Sequence, residues 1–153
     1  MLARTHVAIG ILAALLAKPL FAINNTFVFV LLVCIGALLP DVDHGGSTIN
    51  RMVPVTTLVP LLFRHRGFFH SIFAALILFG TFSLFNQLFV GAALAFGYAL
   101  HLLADSFTKQ GVNWLYPLST FRMAGPIETG ELAETILFVF VIIFVLVRIE
   151  MLI

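Results

Sequence analysis

Five runs of apolar residues divide this chain, and each is near the ~20 residues that a helix needs to cross the hydrocarbon core of a bilayer. They extend from about His6 to Ile23, Thr26 to Leu39, Phe68 to Phe85, Leu88 to Phe107 and Leu132 to about Arg148. A bilayer interior has no water to satisfy backbone N–H and C=O groups, so segments of this kind close their hydrogen bonds internally as helices. The runs occupy most of the 153 residues and leave no room for a separate soluble domain. The sequence therefore predicts an all-α polytopic membrane helix bundle of about five segments, a single domain over residues 1–153. Composition agrees: 61% of residues are hydrophobic and 10% are charged, where a soluble domain carries about 25% charged residues. The first two runs are short for full spans, and Lys18-Pro19 interrupts the first. Arg4 followed by Val7 to Leu16 also has the layout of a signal peptide with Ala22 at the cleavage site. The bulky Leu20-Phe21-Ala22 is poor for cleavage, so the run is read as a retained membrane helix.

Charge sets orientation and excludes one class of partner. Lys and Arg in short loops resist translocation, so the face that carries them stays in the cytoplasm. An N-terminus inside puts Arg4, Arg51, Arg64, Arg66, Lys109 and Arg122 on the cytoplasmic side and leaves Lys18 and Arg148 outside. The expected location is the bacterial inner membrane, multi-pass. A net charge of +1 provides no basic surface for a phosphate backbone, so the expected partner is the lipid bilayer and not nucleic acid. The single Cys34 lies inside an apolar run and supplies neither a disulfide nor a thiolate cage. Any metal must be held by His and carboxylate.

The histidines and aspartates fall at one membrane face. His6 opens the first segment; Asp41, Asp43 and His44 follow the second after Pro40; His65 and His70 frame the start of the third; His101 and Asp105 occupy the last turns of the fourth. The opposite connections, Asn24-Asn25 and Asn86-Gln87, contain no His or Asp. Ionisable groups at membrane depth are costly and point to function. His101 and Asp105, at i and i+4, share one helical face and can reach one ion. The expected ligands are His6, Asp41, Asp43, His65, His70, His101 and Asp105, with His44 balanced between ligand and loop residue. Mixed imidazole and carboxylate donors suit zinc, or else manganese or iron. The donors outnumber what one tetrahedral ion needs, so one or two ions fit. Expected catalytic roles fall to Asp43 and Glu134 for the proton and Arg66 for an anionic substrate. Glu128, Glu131 and Glu134 also suit the positive end of the fifth helix.

Three ordered motifs carry a resemblance: Pro40-Asp41-Val42-Asp43-His44, His65-Arg66-Gly67-Phe68-Phe69-His70-Ser71 and His101-Leu102-Leu103-Ala104-Asp105. Together they resemble the YdjM-type family, described as LexA-regulated, metal-dependent hydrolases of the inner membrane. The likeness runs from Thr5-His6 to Glu128-Thr129-Gly130. The order of ligands is more loosely similar to zinc-dependent phospholipases C and S1/P1-type nucleases, which are soluble and have further ligands downstream. No histidine follows His101 here. The resemblances imply hydrolysis of a phosphoester, a lipid headgroup among the candidates, by metal-activated water. A divalent-metal transporter or binding protein is the alternative, although related halves and midplane ligands are not visible. A membrane metallopeptidase is a narrower one, and His-Glu-x-x-His is absent.

Overall fold

Helices account for nearly all the regular structure in the computed structural model, which describes residues 1–19, 25–47, 50 and 66–151. Among the described residues, the helices are α1 (Ala3–Ala17), α2 (Thr26–Leu38), α3 (Ile72–Leu84), α4 (Leu88–Ser106) and α5 (Leu132–Glu150), with 3₁₀ turns over Leu39–Asp43 and Phe68–His70. This is the all-α membrane class that the apolar runs predict. Thr26–Asp43, Leu88–Ser106 and Leu132–Glu150 are long and apolar enough to cross a membrane, while α1 and α3 are shorter apolar helices.

The central helix is α4, which packs against α2, α3 and α1; α1 in turn packs against α2 and α5. Lipid tails are as apolar as leucine, so helix association in a membrane depends on close packing, and small residues let backbones meet. Two glycines do this at the α2–α4 crossing. A Cβ on Gly36 would lie 2.2 Å from the Leu94 carbonyl oxygen, and one on Gly97 would lie 2.0 Å from that of Val33. Beside this seam, Ala14, Phe29, Val33 and Ala93 form one buried cluster, while Ala8, Leu15, Val141 and Val145 join α1 to α5. The outer face of α5 exposes Ile136, Phe140, Ile143 and Phe144, as suits a lipid-facing surface.

Two boundaries differ from the sequence expectation for identifiable reasons. The third helix starts at Ile72, not Phe68, because Ser71 is extended (φ −128°, ψ 159°) and the preceding residues form a 3₁₀ turn. The Tyr98 hydroxyl donates to the Phe69 carbonyl at 2.5 Å, and the Ile72 N–H donates to the Trp114 carbonyl at 2.9 Å. The first helix starts at Ala3 and ends at Ala17, just before Lys18 and Pro19. Its expected extension to Ile23 runs into residues 20–24, outside the described ones.

Helix direction alternates, so the starts of α1, α3 and α5 meet the ends of α2 and α4 at one face. The connection from α4 to α5 covers part of that face and is held by backbone pairing. Val112 and Met123 exchange N–H···O bonds of 2.8 and 2.9 Å, the Lys109 N–H reaches the Ile127 carbonyl at 2.8 Å, and that of Gly125 reaches Thr108 at 3.0 Å. Gly111 takes φ +62° at the bend, a backbone conformation that favours glycine.

Candidate metal centre

Five side chains from four elements converge behind this face. His6 comes from the first turns of α1, Asp41 from the 3₁₀ turn after α2, His70 from the turn before α3, and His101 and Asp105 from the end of α4. His6, His70, His101 and Asp105 are at most 1% exposed. His6, Asp41 and His101 offer donor atoms that all lie within 4.8 Å of one another, as do His70, His101 and Asp105. The His101 Nε2 is 3.7 Å from Asp41 Oδ1 and 3.7 Å from Asp105 Oδ2; the His70 Nε2 is 3.7 Å and 3.9 Å from the same two oxygens. The His6 Nε2 is 3.3 Å from Asp105 Oδ1. Most of these separations are too long for hydrogen bonds. They match the spacing of donors around a common cation, since a tetrahedron with ~2.1 Å bonds has edges of ~3.4 Å.

The orientation of His101 is set by the backbone. Its Nδ1 is 2.7 Å from the Ala37 carbonyl oxygen, which can only accept, so Nδ1 carries the hydrogen. In the neutral imidazole Nε2 then presents a lone pair, and this atom is buried with no hydrogen-bond partner among the described residues. A lone pair facing two carboxylates is repulsive unless a cation lies between them. The donor set therefore fits a divalent metal.

His70 has the same two-sided arrangement: its Nδ1 is 3.3 Å from Asp43 Oδ2, while Nε2 faces Asp41 and Asp105. Burial pushes the His70 pKa down, but the adjacent Asp41 and Asp43 carboxylates outweigh that and raise it. Asp43 thus stands behind His70, outside both donor groups, and also accepts the Arg66 N–H at 3.0 Å. Arg66 has φ +58°. Its guanidinium NH2 is 2.5 Å from Asp105 Oδ2, and NH1 donates to the Gly111 carbonyl at 2.7 Å. The α-amino group of Met1 contacts Asp105 Oδ1.

Glu134, expected to handle a proton, is also outside the donor groups. Its Oε1 accepts from the Leu2 N–H at 2.6 Å and the Thr5 hydroxyl at 2.7 Å, and its Oε2 accepts from the Gly130 N–H at 2.7 Å. It ties the start of α1, next to His6, to the start of α5. His44 is exposed, and its Nδ1 accepts the Gly46 N–H at 3.0 Å, closing the turn after Asp43. His65, Arg51 and Arg64 lie outside the described residues.

Sequence reasoning missed the Ala37 carbonyl, the Tyr98 hydroxyl and Asn50, whose Nδ2 holds the Val42 and His44 carbonyls at 3.0 and 2.8 Å. Backbone acceptors carry no residue-type signal, and Tyr98 and Asn50 act on main-chain atoms rather than on the donors. A cavity of about 510 Å³ lined by Phe29, Ile72, Phe79, Phe89 and Phe96 is apolar and has none of the five donors on its walls.

The family model described as YdjM inner membrane protein matches residues 1–152. The chain belongs to this family. The inner membrane protein YdjM of Escherichia coli (strain K12) is 33% identical over 129 residues, covering 76% of this chain and 66% of the relative. YdjM of Shigella flexneri aligns with the same identity and coverage. The uncharacterised YvsG of Bacillus subtilis (strain 168) is 38% identical over 104 residues, covering 65% of this chain and 64% of the relative. The chain thus spans just under two thirds of the length of these relatives. No solved structure matches it. As a YdjM-family member with three helices long enough to span among the described residues, it is a multi-pass protein of the inner membrane.

Proposed function

We propose that this YdjM-family protein is a membrane-embedded, metal-dependent hydrolase that cleaves a phosphoester at headgroup depth with a single bound zinc ion. The observation that carries the metal is the buried His101 Nε2 lone pair facing Asp41 and Asp105. The same atom supports the reading of one ion over two. His101 belongs to both donor groups, its Nδ1 is committed to Ala37, and one imidazole nitrogen binds one ion. The two groups are then two walls of one cage.

An ion bound there supplies Lewis acidity and lowers the pKa of a water toward ~7. The protein supplies orientation, charge and a route for the proton. Asp43 holds the His70 ring by Nδ1, as an outer carboxylate does for a metal-ligating histidine. Arg66 keeps a planar, always-charged donor beside Asp105, suited to two-pronged contact with phosphate oxygens. Asp41 keeps 21% side-chain exposure while Asp105 keeps 1%, so Asp41 is the ligand in touch with solvent and passes the proton out. Glu134 holds α1, and with it His6, in position. The face that carries the site is cytoplasmic, by the distribution of basic residues.

The test uses purified full-length protein in detergent, analysed for metal and then offered a panel of phospholipids and soluble phosphoesters. The expected result is near-stoichiometric zinc with hydrolysis of a lipid phosphoester, and loss of both in Asp105→Ala. Arg66→Ala should keep its metal and lose substrate affinity and rate, with Arg66→Lys recovering only part. Metal-loaded protein that hydrolyses nothing, in cells whose metal uptake changes with its expression, would replace the hydrolase with a transporter.

A further inference from the structure

The connection between α4 and α5 exposes an apolar tip that the site does not account for. Leu118 and Phe121 are 79% and 73% exposed, and Leu115 and Met123 are also exposed. This exposure is built into an ordered loop. The Val112–Met123 pair closes its base, the Asn113 Nδ2 donates to the Ser119 carbonyl at 2.6 Å, the Leu118 N–H donates to the Leu115 carbonyl at 2.7 Å, and the Phe121 N–H donates to the Ser119 hydroxyl at 3.0 Å. The Trp114 Nε1 pins the loop to Ser106 at the end of α4 with a 2.8 Å bond. Side chains on a backbone fixed in this way cannot fold back to bury themselves against the bundle. An apolar patch held out by an ordered scaffold marks a contact surface.

We propose that this tip is seated in the headgroup–acyl boundary of the same bilayer that α4 and α5 cross. Apolar exposure also marks the helix ends that border the loop: Leu103 and Phe107 are exposed at the end of α4, and Leu132 and Ile136 at the start of α5. The loop therefore leaves and rejoins the bundle through helix ends that themselves expose apolar side chains. The polar groups around the tip fit this depth. Arg122 is exposed beside Phe121 with NH1 on the Gln110 carbonyl at 2.9 Å, in reach of lipid phosphates, as basic residues flanking interfacial segments are. Lys109 and Glu128, both exposed, pair with each other at the base of the loop. Seating also bears on the site, since the Gly111 carbonyl in this loop accepts from Arg66. The inference does not depend on the hydrolase reading, because it concerns where the loop sits and not what the metal does.

The test places single cysteines at Leu118, Phe121 and, as a water-facing control, Thr129 in a Cys34→Ala background, removing the one native cysteine. Each is labelled with an environment-sensitive fluorophore in the full chain and reconstituted into vesicles of phosphatidylcholine and phosphatidylglycerol. Quenching by aqueous iodide is compared with quenching by lipids that carry a nitroxide near the headgroup end of the acyl chain. At 118 and 121, iodide quenching should be several-fold weaker than at 129, and nitroxide-lipid quenching several-fold stronger. Iodide access equal to that at 129 without lipid quenching would overturn the proposal by putting the tip in water. Protection from both quenchers, with disulfide cross-linking between copies through the 118 cysteine, would overturn it in favour of a protein contact. Size-exclusion chromatography of each labelled variant in detergent, eluting as the Cys34→Ala parent does, shows that the fold is intact when the quenching is read.

Discussion

At His101 a main-chain carbonyl chooses the tautomer, and the consequence differs from that of a side-chain partner. The Ala37 carbonyl cannot be removed by a side-chain substitution, so Nε2 keeps its direction when the other donor side chains are changed. Asp43 supports His70 from the side-chain level and can be changed. Two variants should therefore separate. His101→Ala removes a donor shared by both walls of the cage and should abolish metal binding. Asp43→Asn should leave stoichiometry intact at saturation and weaken affinity by ~10- to 100-fold, the usual cost of losing an orienting partner. Isothermal titration of apo protein with zinc distinguishes them, and equal losses in both would make Asp43 a direct ligand. The sequence made His6, Asp41, His70, His101 and Asp105 legible because residue type and a shared face suffice to nominate donors. It could not rank Asp41 against Asp43, two positions apart on a 3₁₀ turn, because which carboxylate faces the ion depends on backbone geometry beyond the helix end. Glu134 was legible as an acidic candidate at the start of the fifth helix, but its three donors are two main-chain N–H groups and Thr5, which no spacing rule reveals.

Between elements, the site depends on two crossings. Gly97 lies one turn before His101 on α4, and a Cβ there would also come within 2.9 Å of the Ala37 amide nitrogen. Gly97→Ala must push α2 from α4, an overpacking cost of ~1–3 kcal/mol, and it shifts the carbonyl that orients His101. Gly80 in α3 has nothing within 4 Å of its would-be Cβ. Gly80→Ala should be neutral or slightly stabilising, since alanine favours helix by ~1 kcal/mol. Thermal unfolding in detergent with parallel metal analysis should show a lower Tm and weaker metal binding for Gly97→Ala alone. The second crossing is the Glu134 tie between α1 and α5. Glu134→Ala strands the Leu2 and Gly130 N–H groups and the Thr5 hydroxyl, at ~1–3 kcal/mol for each that stays buried and unpaired. It should lower Tm and loosen metal through His6. Glu134→Gln keeps an acceptor oxygen and should recover part of both; a Gln variant as poor as Ala would mean that the charge itself is required. The five described helices were legible from their apolar runs, whereas the start of α3 was not, because Phe68 and Phe69 continue the apolar pattern of the helix and the break is made by Tyr98 and Trp114 from elsewhere in the chain.

For the whole molecule, the shared face was legible because the five described helices alternate in direction and so leave two faces on which their connections can lie. The cover over that face was not legible, since the pairing of Val112 with Met123 comes from a tight bend at Gly111 and not from any strand-like alternation. Which face is cytoplasmic rests on the basic residues, and the structure alters how they should be weighed. Arg66 is engaged with Asp105 and Gly111 and is retained by the site whatever the topology, so it drops out of the argument. Arg4 lies over the Phe138 ring at 5.3 Å, at the start of the bundle, and still counts as a charge that resists translocation. With Arg66 removed, Arg4, Arg51, Arg64, Lys109 and Arg122 still outnumber Lys18 and Arg148. The expected arrangement has the site face inside and the Asn86-Gln87 turn outside. Asn86 is exposed between α3 and α4, so a cysteine there is accessible, at a modest backbone cost because its φ of +57° suits Asn better than Cys. In the Cys34→Ala background, a membrane-impermeant thiol reagent added to intact cells stripped of their outer membrane should label Asn86→Cys and spare Gly45→Cys beside His44 until the inner membrane is opened. Labelling of Gly45→Cys first would invert the protein, sending the metal centre to the periplasmic side and requiring a substrate from the outer leaflet, with every contact inside the site unchanged.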